Sequence, residues 1–338
     1  MSDQDLVVET VRDILTAHEP FVLTEDRRWD DALWRTLTES GLTGVGLPEQ
    51  AGGSGGDLAD AVAVVRTLAA GAAAVPIAEQ LLVAGPALLA AGLELPSPDE
   101  PLTFVEAPTL TGPVPSVPWA GVARHLAVLA TGPEGPVLAL VAVRDLPTSD
   151  ASNVAGEPRG SLVLDGVAAT GALLTAAQAD ELRARFALAR AVQLAAALER
   201  VLAWTVQYAG ERHQFGRPLG KFQAIQMELA EMAGEVTAVT ALTDAAVQAL
   251  DHGSPDFVLA AAAAKVRAGA AVEVVARLAH QVHGAIGFTQ EHKLHHLTRR
   301  CWAWRDEAGS ELAWSRALAT GLLAAGGDGF WPALTRVV

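Results

Sequence analysis

Tyr-Ala-Gly-Glu-Arg-His-Gln-Phe-Gly-Arg-Pro-Leu-Gly-Lys-Phe-Gln-Ala-Ile-Gln, residues 208–226, separates two long alanine- and leucine-rich runs. Gly216, Pro218 and Gly220 are the strongest local breakers of regular structure, so the segment from Gly216 to Gly220 is a tight link. The runs on either side, 175–210 and 222–252, carry a helical pattern, and two more follow over 255–283 and 294–323. The punctuation between them is short: Asp251-His-Gly-Ser-Pro255 and Gly284-Ala-Ile-Gly287. Four long helices with short breaks predict an antiparallel bundle over 173–338.

Upstream the pattern changes twice. Residues 99–172 are rich in proline and carry β-prone runs, Leu126–Ala130, Val137–Val143 and Ser161–Asp165, with Thr131-Gly-Pro-Glu-Gly-Pro136 as a turn signal. Residues 1–98 return to helical spacing, with Val7, Val8, Val11, Ile14 and Leu15, then Leu33, Leu37 and Leu42, and a helix from Leu58 to Ala70. The expected fold is mainly α with a small β domain: an N-terminal helical domain (1–98), a reduced β domain (99–172) and a C-terminal four-helix bundle (173–338).

Composition limits the function classes. The 338 residues are 51% hydrophobic and 19% charged, enough for real cores and too apolar for disorder. A net charge of −15 disfavours nucleic acid and anionic membrane as partners. The single cysteine, Cys301, excludes an internal disulfide framework or a thiolate metal site. The opening MSDQDLVVETVRDIL lacks the basic and apolar regions of a secretory signal, and the apolar run Leu81–Leu93 is too short to span a bilayer and contains Pro86. A cytoplasmic location is expected.

Three segments carry a family resemblance. Tyr208, Arg212, Phe215-Gly216 and Phe222-Gln223 resemble the bundle motif of acyl-CoA dehydrogenases, in which a Tyr and an Arg precede Phe-Gly with Phe-Gln shortly after. Gln281-Val-His-Gly284-Ala-Ile-Gly287-Phe288-Thr289 is similar to the family's Gln-x-x-Gly-Gly-x-Gly-Phe, and Leu47-Pro48-Glu49 with the following glycines resembles the end of its first helical domain. The resemblance implies FAD as cofactor and bundle segments that reach across to a flavin held by a neighbouring subunit. Arg212 would then fork onto the pyrophosphate, with Gln214 beside it, a geometry suited to phosphate. Phe215 and Gln223 would flank the cofactor. Gln281 and the backbone at Gly284 and Gly287 would take the adenylate end, because residues without Cβ permit close approach.

The same resemblance exposes two gaps. The family's reaction removes a proton α to a thioester while a hydride passes to the flavin, and a carboxylate must stand at the α carbon. In most members that base is a Glu directly before a Gly, in a Tyr-Glu-Gly-Thr run; here the stretch reads Arg305-Asp-Glu307-Ala308-Gly309-Ser310. Aligned on Gly309, Ala308 takes the base position. Glu307, one residue early, is the candidate base this chain offers; in a helix one residue turns a side chain by about 100°. Members with an earlier base would place it near Phe186, which has no acid. Residues 101–170 also lack the family's flavin-holding Thr-Glu-Pro…Gly-Ser-Asp and Trp-Ile-Thr runs, keeping only Pro118-Trp119-Ala120 and Glu157-Pro158-Arg159 as remnants.

The resemblance with its gaps implies one subunit of an α₂β₂ acyl-CoA dehydrogenase oxidising an acyl-CoA to the 2,3-enoyl-CoA. A paralogous partner would supply base and flavin cradle, with an electron-transfer flavoprotein as acceptor. The alternatives are a homo-oligomer that uses Glu307, and a non-catalytic acyl-CoA-binding scaffold. His280, His283, His292, His295 and His296 lie close in sequence but lack an HExxH pattern or a cysteine partner, so no metal site is expected. Trp302, Trp304 and Trp314 suit helix packing, an interface or an acyl pocket.

Overall fold

Helices come first, a small sheet second and long helices last. The computed structural model describes residues 3–18, 22–24, 27–143, 146–289, 291–324 and 326–336. The chain divides into two units, Met1–Leu68 with Ala73–Ala189 and Ala69–Ala72 with Arg190–Val338.

In the first unit, α1 (Asp3–Ala17), α2 (Asp31–Glu39) and α3 (Leu58–Ala70) follow the predicted helical spacing. Asp30 starts α2 by accepting a hydrogen bond from the Leu33 N–H at 3.0 Å, which satisfies one of the orphan donors of the first turn. The apolar run that begins near Leu81 is a π-helical turn, Glu79–Ala84, continuing into α4 (Gly85–Ala90). The Gly85 N–H bonds to the Gln80 carbonyl, and Pro86, which lacks an N–H, falls in the first turn of α4, where none is needed. Among the described residues no helix is long and apolar enough to cross a membrane. Buried Gln80 ties the helical part to the sheet: its amide donates to the Thr43 and Pro98 carbonyls and accepts from the Leu102 N–H.

The main sheet has four strands in the order β1-β3-β4-β6, from β1 (Leu102–Glu106), β3 (His125–Gly132), β4 (Gly135–Ala142) and β6 (Ala169–Leu173). Strands β1 and β3 run parallel; the other pairings are antiparallel. Strands β1 and β6 were not singled out by the β-prone runs. Of the run Ser161–Asp165 only Leu162–Val163 (β5) pairs, with Pro113–Val114 (β2). Its ends bond elsewhere, the Leu164 N–H to the Gly112 carbonyl and the Ser161 N–H to the Ser149 hydroxyl.

The long helix α5 (Ala176–Glu211) leads into the second unit. After it come a two-residue hairpin, β7 (His213–Gln214) and β8 (Arg217–Pro218), then α6 (Gln223–Asp251) and α7 (Phe257–His283). Helix α7 is the centre of the bundle: Ala261, Ala262, Ala264, Ala268, Ala271 and Val275 have no exposed surface. Alanines make this possible because they let neighbouring backbones close in without losing side-chain entropy. The predicted helix over 294–323 is broken into α8 (Leu294–Asp306) and α9 (Glu311–Ala324), and α10 (Gly326–Arg336) follows. The break lies at Ala308 and Gly309, whose φ values are +57° and +92°, incompatible with a continuous right-handed helix.

Candidate functional site

Two places in the second unit carry the residues that the sequence motifs single out. The first is the hairpin after α5. Its turn is Phe215-Gly216, both with positive φ (+50° and +80°), the conformation of a two-residue type I′ link. Asn-Gly suits that turn; a phenylalanine in the left-handed region is disfavoured by roughly 1–2 kcal/mol. Phe215 nonetheless holds it with its ring 91% exposed. The rings of Phe215 and Phe222 meet edge to face at 6.3 Å, and the Arg217 guanidinium lies 4.0 Å over Phe222. Arg212, Gln214 and Gln223 are exposed beside this cluster. Among the described residues no carboxylate pairs with Arg212, and the nearby Glu211 accepts instead from Gln207 at 2.8 Å.

The second motif ends α7. Gln281 is exposed, and Gly284 stops the helix at φ +64°, ψ −147°, a combination essentially confined to glycine. Gly284 has open space around it, whereas a Cβ at Gly287 would meet His283 Cβ at 3.1 Å and Leu294 Cδ2 at 3.3 Å. The close approach at Gly287 is therefore made by this chain itself. The structure brings the two motifs together: the Tyr208 ring stacks on His283 at 4.4 Å, and its hydroxyl lies 3.3 Å from the His283 carbonyl.

The five histidines are used in packing. His280 bonds the Thr298 hydroxyl at 2.9 Å and stacks on Phe288; His283 donates to the Ala279 carbonyl at 2.7 Å. Burial lowers the pKa of His280, His283 and His292, and brings His296 to about 4, so these rings are neutral at pH 7. Among the described residues no cluster of three or more His, Cys, Asp or Glu side chains could hold a metal.

The turn between α8 and α9 looks inward. Helix α8 stops at Asp306, and Glu307 already has extended backbone (φ −85°, ψ 157°), so its direction is set by the turn rather than by a helical wheel. Its carboxylate is 2.8 Å from the guanidinium of Arg190, a side chain only 1% exposed. Lys265, fully buried, donates to the carbonyls of Arg305 (2.6 Å) and Gly309 (2.9 Å), and burial lowers its pKa to about 8. The Trp314 indole N–H donates to the Ala308 carbonyl at 2.7 Å, while Arg305 pairs with Glu311. Sequence reasoning missed Arg190 and Lys265. Both stand in alanine-rich helical runs with other cations close by, Arg185 before Arg190 and Arg267 after Lys265, so nothing along the chain singles them out.

In the first unit, Phe186 packs edge to face on Phe104 at 5.2 Å. Trp119 and Glu157-Pro158-Arg159 have come together: the Trp119 backbone N–H donates to the Pro158 carbonyl, Arg159 lies 5.6 Å over the indole, and Glu157 is fully buried against Arg159. Trp119 is also packed with Ala74 and Val122. Side chains pack this place, with the Trp119 indole N–H buried and without a hydrogen-bond partner among the described residues. By contrast the exposed donor set of Arg212, Gln214 and Gln281 fits an anionic dinucleotide.

Comparison with known proteins gives a consistent picture. The family models for the acyl-CoA dehydrogenase C-terminal and N-terminal domains match residues 178–313 and 1–94. Acyl-CoA dehydrogenase IpdE2 of Mycobacterium tuberculosis is 31% identical, with 88% of this chain and 90% of that protein covered. One chain of the ChsE4–ChsE5 complex from Mycobacterium tuberculosis is 25% identical, with a TM-score of 0.84 over 97% of this chain and 98% of that one. A variant of the Tcur3481–Tcur3483 steroid ACAD is 28% identical, with a TM-score of 0.83 over 97% of this chain and 99% of that one.

Proposed function

This chain belongs to the acyl-CoA dehydrogenase family, and on that premise we propose that it is the subunit of a heteromeric, FAD-dependent enzyme that completes a flavin site held by its partner. The substrate is an acyl-CoA with a bulky chain of the steroid or fatty-acid type, and the product is the 2,3-enoyl-CoA. The partner is a paralogous subunit in an α₂β₂ tetramer, the acceptor an electron-transfer flavoprotein, and the compartment the cytoplasm. Similarity to one chain of the ChsE4–ChsE5 complex and to the Tcur3481–Tcur3483 steroid ACAD supports the pairing and the substrate class.

The observation that carries the reading is the hairpin. A phenylalanine kept in a strained turn with its ring in solvent, next to an arginine with no carboxylate partner among the described residues, is built for something outside the chain. Strain of this kind persists where it serves a site. Bound FAD supplies the hydride acceptor. From this chain, Arg212 binds the pyrophosphate, Phe215 and Gln223 exclude water at the cofactor's flank, and Gln281 with the Gly284 backbone orients the adenylate. The chain brings no base of its own: Ala308 has no acid, and the Glu307 carboxylate is engaged by Arg190.

Flavin content tests this. The chain purified alone is expected to carry little FAD, and the complex co-expressed with its partner to carry it stoichiometrically. Stoichiometric FAD on the lone chain sinks the proposal. In a complex that still assembles and holds its wild-type unfolding midpoint, Glu307→Gln is expected to leave enoyl-CoA formation at its wild-type rate; a loss of a hundredfold or so in such a complex, the order typical of removing a positioned base, would make Glu307 that base.

A further inference from the structure

The motif resemblance picks out Arg212 but says nothing of Arg217, and the register of the hairpin puts the two on one side. Gln214 stands opposite Arg217 and His213 opposite Pro218, and the Leu219 N–H extends the ladder by donating to the Arg212 carbonyl at 2.8 Å. Directly opposed residues share a face and successive residues alternate, so Arg212, Gln214 and Arg217 belong to one face. Arg212 and Arg217 are diagonal neighbours across it, roughly 7–8 Å apart at Cα.

Three further observations mark this face as anionic-ligand territory. The protein has 24 Lys+Arg against 39 Asp+Glu, yet residues 212–227 contain Arg212, Arg217 and Lys221 and no carboxylate. Arg217 is exposed and forms no ion pair among the described residues. Its guanidinium lies 4.0 Å over the Phe222 ring, a cation–π contact that leaves the N–H edge without a hydrogen-bond partner among the described residues.

We propose that Arg217 is a second phosphate-gripping residue, so that the hairpin offers two guanidinium forks to the two phosphates of a dinucleotide. The proposal rests on the partner-flavin reading above and adds a residue that the reading does not contain. Two charges on the ligand's pyrophosphate are met by two delocalised cations, each able to donate two parallel hydrogen bonds. Phe222 restrains Arg217 before the ligand arrives, so less side-chain freedom is lost on binding. FAD and CoA both carry a pyrophosphate, and the test must separate them.

The experiment uses the assembled complex with Arg217→Gln, Arg217→Lys and Arg212→Gln. FAD release is followed by flavin fluorescence on dilution at several sodium chloride concentrations, and CoA binding by calorimetry. Arg217→Gln is expected to raise the Kd for FAD roughly tenfold, the loss typical of one charged hydrogen-bonding group, and to flatten its salt dependence. Arg217→Lys restores the salt dependence but only part of the affinity, since the fork is gone. CoA binding is unchanged. If Arg217→Gln holds FAD as wild type does while Arg212→Gln sheds it, the proposal is overturned and the flavin reading stands. Weaker CoA binding with unaltered FAD also overturns it, assigning the fork to the thioester's nucleotide. If neither arginine matters to FAD, the flavin reading falls and takes the proposal with it.

Discussion

The hairpin at residues 212–222 and the turn at residues 307–310 are the two places the motif resemblance points to, and they have opposite physical characters. In the hairpin, cations stand in solvent, an aromatic ring is 91% exposed and a backbone angle is strained outward. In the turn, the charges are satisfied internally: Arg190 holds Glu307, Lys265 holds the Arg305 and Gly309 carbonyls, and Trp314 holds that of Ala308. Exposed donors, held by water, are available to a ligand or partner. Donors largely matched inside the chain, as at this turn where only the Arg190 Nε lacks a hydrogen-bond partner among the described residues, report packing. The subunit proposed above, lending a cofactor grip without a base, would have this combination.

The sharpest way to break the contrast is to unlock the turn. Arg190→Ala removes the buried cation that meets the Glu307 carboxylate, and about 3–5 kcal/mol of unfolding free energy is expected to go, measured by urea denaturation. A loss under about 1 kcal/mol would mean the pair is not structural. Lys265 gives the next largest effect. Its pKa falls from 10.5 unfolded to about 8 folded, so between those values the unfolded chain binds more protons and stability rises with pH. Up to about 3 kcal/mol is gained from pH 8 to pH 10.5 and lost as the pH returns through 8. Lys265→Met should flatten that slope in pH-dependent unfolding, and an unchanged slope would remove Lys265 as its source.

The hairpin should respond in the other direction, through binding rather than folding. Arg212→Gln is expected to weaken FAD in the complex by roughly 10- to 100-fold with the unfolding midpoint of the lone chain unmoved. The smallest effect sharpens the comparison most. Phe215→Asn suits the left-handed turn, so the lone chain should keep or gain stability, by at most about 1 kcal/mol. The complex should meanwhile lose flavin. If instead the lone chain loses stability, the ring packs within its own chain and the outward reading of the hairpin is wrong.

Much of the fold was legible because its signals are local. Helical spacing, the breakers at Gly216–Gly220 and the proline-rich middle gave helices, then strands, then a bundle, and a helix from Leu58 to Ala70 that the structure has at those same residues. Strands β1 and β6 were less visible: β1 is nearly all buried and β6 nearly all exposed, so neither shows the alternation that marks a half-buried strand. The break at Ala308-Gly309 was missed because the alanine- and leucine-rich pattern resumes after it, and an isolated glycine such as Gly309 is tolerated inside helical patterns.

What the sequence alone determined is the order of elements and the positions of the two motifs, since each follows from neighbours along the chain. Only the tertiary structure decided what the surviving charged groups do. Glu307 finds Arg190 on α5, and Lys265 on α7 reaches the end of α8, encounters between segments far apart in sequence. A side chain's chemistry depends on the solvent and charges around it, and those are fixed only when distant helices pack.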